Sequence, residues 1–375
     1  MTEDADAVVI GAGPAGAAAA ALLASRGFRT VVLEAKTFPR RKVCGAFLSA
    51  QALPVLRRLG AEEDVERVGP ERIAGGSVHL PGGLSAAFEL PAPGLGISRF
   101  ALDQLLADRA ARAGADVQFA SRVLSVEREH AGFRVRLSGG ESVTARVAVG
   151  AWGRWDALDR SLDRPLPGRR SRYLGWSGEY EGDGARLAGA VRLYVFEGGY
   201  CGLSRVEGGR VNLAGVILDG AQRQLGAGWE KVVARACRSN RRLAEDLDGL
   251  SPADFSGTGP VYFAARRPIE KGILLVGDAA GVLDPFSGQG QAAALTSGAL
   301  AADCAAEALS GRAPADELPR LYAAAWRASL AGRFAWSAAF RRLMLSPWLG
   351  GIAGRMAGPG LTRLAVRALA GPRAL

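Results

Sequence analysis

Apolar runs of strand and helix length, separated by glycine, open the chain. Ala7 to Ile10 predicts a buried strand, Pro14 to Arg26 a helix closed by Gly27, and Arg29 to Glu34 a second strand. Strand, helix and strand in that order predict a parallel α/β sheet. A loop rich in arginine and lysine follows, then a helix from about Ser49 to Leu59, and glycine and proline crowd residues 69–96 in the manner of short hairpins. The spacing predicts a helix over Leu102 to Ala113, an extended piece over Asp116 to Ala120, and strands at Val123–Arg128, Phe133–Leu137 and Thr144–Val149. Residues 171–218 alternate with glycines at 198, 199, 208 and 209, which predicts an antiparallel sheet. A helical piece over Trp229 to Asp246, a strand at Ile273–Val276, a glycine-rich loop and a long helix from about Gln291 to Leu309 complete the pattern, without an internal repeat.

Composition narrows the class. With 375 residues, 49% hydrophobic and 22% charged, the chain is globular and long enough for two domains or one enlarged one, which excludes disorder, collagen and coiled coil. The apolar stretch 8–24 follows Glu3, Asp4 and Asp6 and is broken by Gly11, Gly13 and Gly16, so it predicts a buried strand and helix, not a signal peptide. No apolar run reaches the roughly 18 residues of a membrane span. Cys44, Cys201, Cys237 and Cys304 form no CxxC pair, and His79 and His130 are the only histidines. A reducing, cytoplasmic setting is expected, with no metal site, no disulfide framework and no Ser-His-Asp triad.

The net charge of +10 rests almost wholly on arginine, since only four basic residues are lysine, and it gives little support for a nucleic-acid partner. Its distribution says more: nine arginines and no acid follow Glu317. Trp326, Phe334, Trp336, Phe340, Leu343, Met344, Leu345, Trp348 and Leu349 lie among them. This tail suits a helical cap on the core, peripheral contact with an anionic membrane, or both.

Two glycine-rich segments carry the chemistry. Gly11-Ala12-Gly13-Pro14-Ala15-Gly16 is a GxGxxG between a predicted strand and helix, with Glu34 ending the next strand. There the first glycine permits the turn, the second lets backbone approach a pyrophosphate, the third allows helix–strand packing, and the acid holds a ribose. This arrangement predicts a dinucleotide site without distinguishing FAD from NAD. Near the other end, Gly277-Asp278 follows a buried strand and leads through Pro285, Gly288, Gln289, Gly290 and Gln291 into a helix.

This second segment resembles that of the FAD-dependent oxidoreductases of the p-hydroxybenzoate hydroxylase fold, which include aromatic monooxygenases and geranylgeranyl reductases. The resemblance implies that Asp278 meets the ribityl chain of FAD and that the helix start at Gly288–Gln291 points at the flavin. A helix N-terminus worth roughly half a charge stabilises a reduced, anionic flavin. Arg41-Lys42-Val43-Cys44-Gly45 looks like the Lys-x-Cys-Gly loop of the geranylgeranyl reductase-like branch, and Arg99 with Asp103 looks like the family's cofactor-contacting helix start. Ala35 and Val123 join the expected cofactor contacts. The family's Asp-Gly motif is replaced by Trp152-Gly153, which leaves open whether NADPH or NADH, or a partner reductase, delivers the electrons. Trp152 packs or shapes a pocket.

The fold class expected is α/β: a discontinuous Rossmann-type FAD-binding domain (1–71, 96–169, 263–330), an antiparallel β-sheet substrate domain (72–95, 170–262) and a basic helical tail (331–375). Tyr200 and Asn212 are the further pocket candidates. Cys44 reads as a small residue in a tight loop or as a redox thiol. No acid–base pair stands out, so catalytic side chains remain unassigned and the cofactor carries the chemistry. The leading expectation is a monooxygenase acting on a lipophilic aromatic or polyketide-like substrate. The alternatives are reduction of isolated prenyl double bonds and a flavoprotein without its own substrate.

Overall fold

In the computed structural model, which describes residues 2–130, 132–154, 157–165, 173–226 and 228–344, the chain runs as follows. The first part is β1 (Thr2–Ile10), α1 (Pro14–Ala24), β2 (Thr30–Leu33), β3 (Phe47–Leu48), α2 (Leu53–Arg58), α3 (Glu62–Val68), β4 (Glu71–His79), β5 (Ser85–Gly96) and α4 (Arg99–Arg112). Then come β6 (Asp116–Gln118), β7 (Val123–Glu129), β8 (Gly132–Leu137), β9 (Ser142–Gly150), α5 (Ala157–Ser161), β10 (Tyr173–Glu181), β11 (Ala190–Phe196), β12 (Gly199–Arg205) and β13 (Val211–Leu218). The last part is α6 (Asp219–Leu225), α7 (Trp229–Ser239), α8 (Arg241–Leu247), β14 (Ser251–Val261), β15 (Ala264–Ala265), β16 (Ile269–Glu270), β17 (Ile273–Leu275), β18 (Gly281–Val282), α9 (Gly290–Leu309), α10 (Leu318–Trp326) and α11 (Gly332–Met344).

The first sheet has β1 at its centre, parallel to β2 and β9, with β17 and β6 extending it in parallel and the β7–β8 hairpin joining β9. Ala7, Val8 and Val9 are fully buried, because helices cover the sheet and leave the middle strand no wet face. Every residue of α1 is buried, which is why that helix is built from alanine and leucine. A Cβ on Gly298 of α9 would sit 2.1 Å from the Ala15 carbonyl oxygen, so α9 crosses α1 at backbone distance.

The second sheet runs β14-β10-β13-β12-β11-β4-β5-β3 and is antiparallel except where β4 meets β11. It roofs the carboxyl edge of the first. The short hairpins expected over 69–96 are one long hairpin, β4–β5. Only Gly82 and Gly83 make its turn, and its other glycines mark close approaches: a Cβ on Gly76 would lie 2.5 Å from the Val191 oxygen, and one on Gly94 2.6 Å from the Phe47 ring.

Three further boundaries differ from the sequence pattern. The helix expected from Ser49 opens as a 3-10 turn before α2 starts at Leu53, with Pro54 in its first turn. α4 begins one turn early, because Ser98 Oγ accepts from Ala101 N–H. The Trp229–Asp246 helix breaks at Asn240, whose amide donates to the carbonyls of His79 and Val195.

The segment that leads into the tail packs on the core. Tyr322 donates to Leu275 O at 2.7 Å, Trp326 stacks on Phe334, and Trp326 and Leu330 are buried. The side chains of Phe340, Arg341, Arg342, Leu343 and Met344, and all of Leu345, Trp348, Leu349, Arg355, Arg363, Arg367 and Arg373, lie outside the described residues. Among the described residues no helix is long and apolar enough to cross a membrane.

Candidate functional site

Where β1 ends, Gly11 adopts φ +104°, and Glu34 at the end of β2 accepts from Ala12 N–H at 2.9 Å and Lys36 N–H at 3.0 Å. A Cβ on Gly11 would meet Ala151 O at 2.5 Å, and one on Gly16 would meet Gly11 O at 1.9 Å. The turn and its packing therefore require both glycines. Gly13 has ordinary room; the atoms nearest a Cβ there are Lys42 Nζ at 3.7 Å and Arg99 Nη2 at 3.8 Å. α1 starts beside it with no side-chain cap, so its free N–H groups face the space those cations overlook.

Both cations lean on one carboxylate. Asp103 is fully buried, accepts from Arg99 at 2.6 and 2.7 Å, and lies 3.4 Å from Lys42 Nζ. Burial opposes the charge of Asp103, but Arg99 and Lys42 outweigh it and hold its pKa below the usual carboxylate range. Arg99 is raised despite its own burial, chiefly by Asp103. Lys42 is lowered, first by burial and then by Arg99. Two cations to one acid leave a surplus positive charge at the mouth of the glycine turn, suited to a pyrophosphate.

The opposite wall comes from the end of β17. Gly277 N–H donates to Ser297 Oγ at 2.8 Å, and Asp278 lies 3.6 Å from Arg154 Nε. Gly288 takes φ +63°, and α9 then starts with no side-chain cap. The turn between β18 and α9 is pinned from the roof: Tyr200 donates its hydroxyl hydrogen to Asp284 Oδ1, and that oxygen also accepts from Phe286 N–H at 3.0 Å.

These elements enclose one cavity of about 1290 Å³, above the roughly 300–1,000 Å³ of an ordinary small-molecule site. Every residue expected from the sequence to touch cofactor or substrate lines it, except Ala12, Gly16, Asp103 and Asn212. Ala12 and Gly16 shape the turn from behind, and Asp103 sits beneath Arg99. Asn212 stands behind the Cys44 loop and donates to Cys44 O at 3.1 Å. Trp152 folds over Gly150, where a Cβ would meet its ring at 2.3 Å, so it packs and lines the cavity at once. Among the described residues eight buried side-chain polar atoms lack a partner, and four of them, Ser49 Oγ, Gln291 Oε1, Arg40 Nε and the indole nitrogen of Trp152, belong to residues that line this cavity. Buried orphans are rare, and four around one cavity mark it as a ligand site.

Arg154, Asp284 and the anchoring role of Asp103 emerge only in the fold. The i,i+4 spacing of Arg99 and Asp103 was a usable signal. Nothing local ties Asp284 to a tyrosine on another sheet.

Residues 4–183 match the FAD binding domain family model. The chain is 31% identical over 315 residues to digeranylgeranylglycerophospholipid reductase 2 of Methanopyrus kandleri, covering 81% of this chain and 77% of that protein. It is 30% identical over 320 residues to menaquinone reductase of Mycolicibacterium smegmatis, covering 81% and 76%. The chain belongs to the geranylgeranyl reductase-like FAD-dependent oxidoreductases of the p-hydroxybenzoate hydroxylase fold. Solved structures share that fold: the myxobacterial chondrochloren halogenase CndH (TM-score 0.81, 22% identity, 98% of this chain and 90% of that one) and PqsL, a probable FAD-dependent monooxygenase of Pseudomonas aeruginosa (0.76, 23%, 93% and 99%).

FAD is the cofactor of this oxidoreductase. The residues present fit it, with two uncapped helix starts, a glycine turn that admits backbone approach, and paired cations at one end of a long cavity. Glu34→Ala is expected to leave the Ala12 N–H unpaired inside the turn, at a cost of about 1–3 kcal/mol. Titration of apoprotein with FAD checks this, and unchanged affinity and melting temperature would remove Glu34 from the site.

Proposed function

We propose that this oxidoreductase saturates isolated double bonds in the isoprenoid chain of a lipid. One observation carries the reading: the part of the cavity wall contributed by the roof sheet has no charged side chain. Val78, Phe88, Val191, Leu193, Val216 and Val261 face the cavity there, while its charged residues, such as Lys42, Arg99 and Asp278, sit on the cofactor side. Such a wall binds hydrocarbon and gives no anchor to a charged substrate. The named activities of the prenyl-lipid and menaquinone reductases support the same direction.

Saturating a double bond adds a hydride to one carbon and a proton to the other, and reduced FAD supplies the hydride when bound. The chain excludes water through the apolar roof and provides the proton. Cys44 is placed for that task, because Ala46 N–H (3.4 Å) and Gln291 Nε2 (3.3 Å) both donate to its sulfur and neither contact uses its own S–H. NADPH, NADH or a partner reductase renews the electrons, with Trp152 standing where a direct nicotinamide contact is expected. The cofactor side comprises 1–71, 96–169 and 263–330, and the substrate side 72–95 and 170–262.

A second reading, a monooxygenase of lipophilic aromatic substrates, is favoured by Ser256 and Thr258, hydroxyl side chains in the same roof wall that suit a substrate oxygen. Anaerobic turnover separates the two. With dithionite-reduced protein and a detergent-dispersed polyprenyl lipid, the product is expected to gain H2 per double bond without O2. Product that forms only with O2 and carries added oxygen would replace the first reading by the second.

A further inference from the structure

The β4–β5 hairpin carries no Lys, Arg, Asp or Glu from Ile73 to Phe88, in a chain that is 22% charged. Its one titratable side chain there, His79, stacks on Tyr194 and is lowered in pKa by burial. Along β5 the inward positions Ala86, Phe88 and Leu90 line the cavity, while Ser85, Ala87 and Glu89 between them are exposed. On the partner strand and turn, Val78, Leu80 and Leu84 also line it. The turn is closed by Leu80 N–H donating to Leu84 O at 2.8 Å, and its tip reads Pro81-Gly82-Gly83-Leu84. Leu84 is 44% exposed, so one leucine belongs both to the cavity wall and to the outer surface.

A lone exposed leucine means little. Here it ends an unbroken hydrocarbon wall that starts inside the cavity, on the longest uncharged stretch of the roof. We propose that the tip Leu80–Leu84 inserts into the acyl region of a lipid surface, and that an isoprenoid tail passes from the bilayer into the cavity along Val78, Ala86, Phe88 and Leu90. The use made of the contact rests on the prenyl-lipid reading above; the contact itself does not. An uncharged tip needs no anionic lipid and is indifferent to salt, whereas a basic segment needs the first and is weakened by the second.

The test uses the full FAD-loaded chain with Leu84→Trp and vesicles of pure phosphatidylcholine, with and without bromine on the acyl chains. Relative to the unsubstituted protein, the added tryptophan is expected to shift to the blue on vesicle addition and to be quenched by the brominated lipid, equally at low and high salt. The double variant Leu80→Asp/Leu84→Asp is expected to bind vesicles on the order of tenfold or more weakly while retaining FAD. An added-tryptophan signal that ignores the vesicles, or that responds only with anionic lipid at low salt, overturns the proposal. No turnover enters this measurement, so it fails independently of the anaerobic product assay.

Discussion

Gly16→Ala is expected to yield protein that no longer retains its yellow cofactor. The new methyl carbon would stand 1.9 Å from the Gly11 carbonyl oxygen and 2.9 Å from the Ala151 Cβ. Neither neighbour can retreat, because Gly11 is fixed by its φ of +104° and by a hydrogen bond from its N–H to Leu33 O. α1 must move off β1, taking its N–H groups away from the phosphates. Overpacking of this kind costs about 1–3 kcal/mol, or roughly fivefold to over a hundredfold in affinity if borne by the bound state. Gly220→Ala on exposed α6 is the control, since a Cβ there has nothing within 4 Å, Gly220 is not among the positive-φ glycines and it lies outside the cavity wall. Flavin absorbance against protein absorbance, followed by FAD titration, reads both variants. Wild-type retention in Gly16→Ala would mean that the helix start does not hold the cofactor.

The largest loss of stability is expected from Asp103→Asn. Removing that charge strands Arg99 and Lys42 on the same buried acceptor, and breaking a buried pair from one side costs about 3–5 kcal/mol. Urea unfolding of the apoprotein measures it. Excess FAD is expected to recover part of the loss, since its phosphates bring negative charge to the same cations. The wild-type pH dependence has a definite sign. Asp103 is held below the usual carboxylate range, so its contribution is complete above about pH 4 and disappears as pH falls through its own lower value. The asparagine variant should lack that acid-side loss, and an unchanged acid limb would assign the loss to other carboxylates.

The cofactor half was legible because its determinants are local. Gly11, Gly16 and Glu34 are fixed by one strand, one turn and the next strand, and Gly277 to Gly290 by another such unit, so spacing alone brings them into register. The roof was legible as a sheet but not as a lining. Glycine at 75, 76 and 94 signals a turn in sequence, while in the fold it marks places where a carbonyl or a ring from another strand presses on the backbone. The sequence makes Tyr200 a pocket candidate, but its partner Asp284 lies 84 residues away and only the fold joins them. Asn212 failed as a lining residue for a related reason. Alternation along β13 tells which residues share a face, but not that the Cys44 loop lies across that face.

The stretch that matches the FAD binding domain model stops two residues beyond β10. β10 lies inside the roof, bonded along one edge to β13 and along the other to β14. A chain cut there would bare both edges of a long strand, strip β17 from the parallel sheet and lose α9, on which α1 packs. Naked strand edges template association. The matched stretch is thus not a portable cassette, and chimeras with relatives of other specificity must exchange the chain through α9 as one block or only the roof segments between their pairing partners.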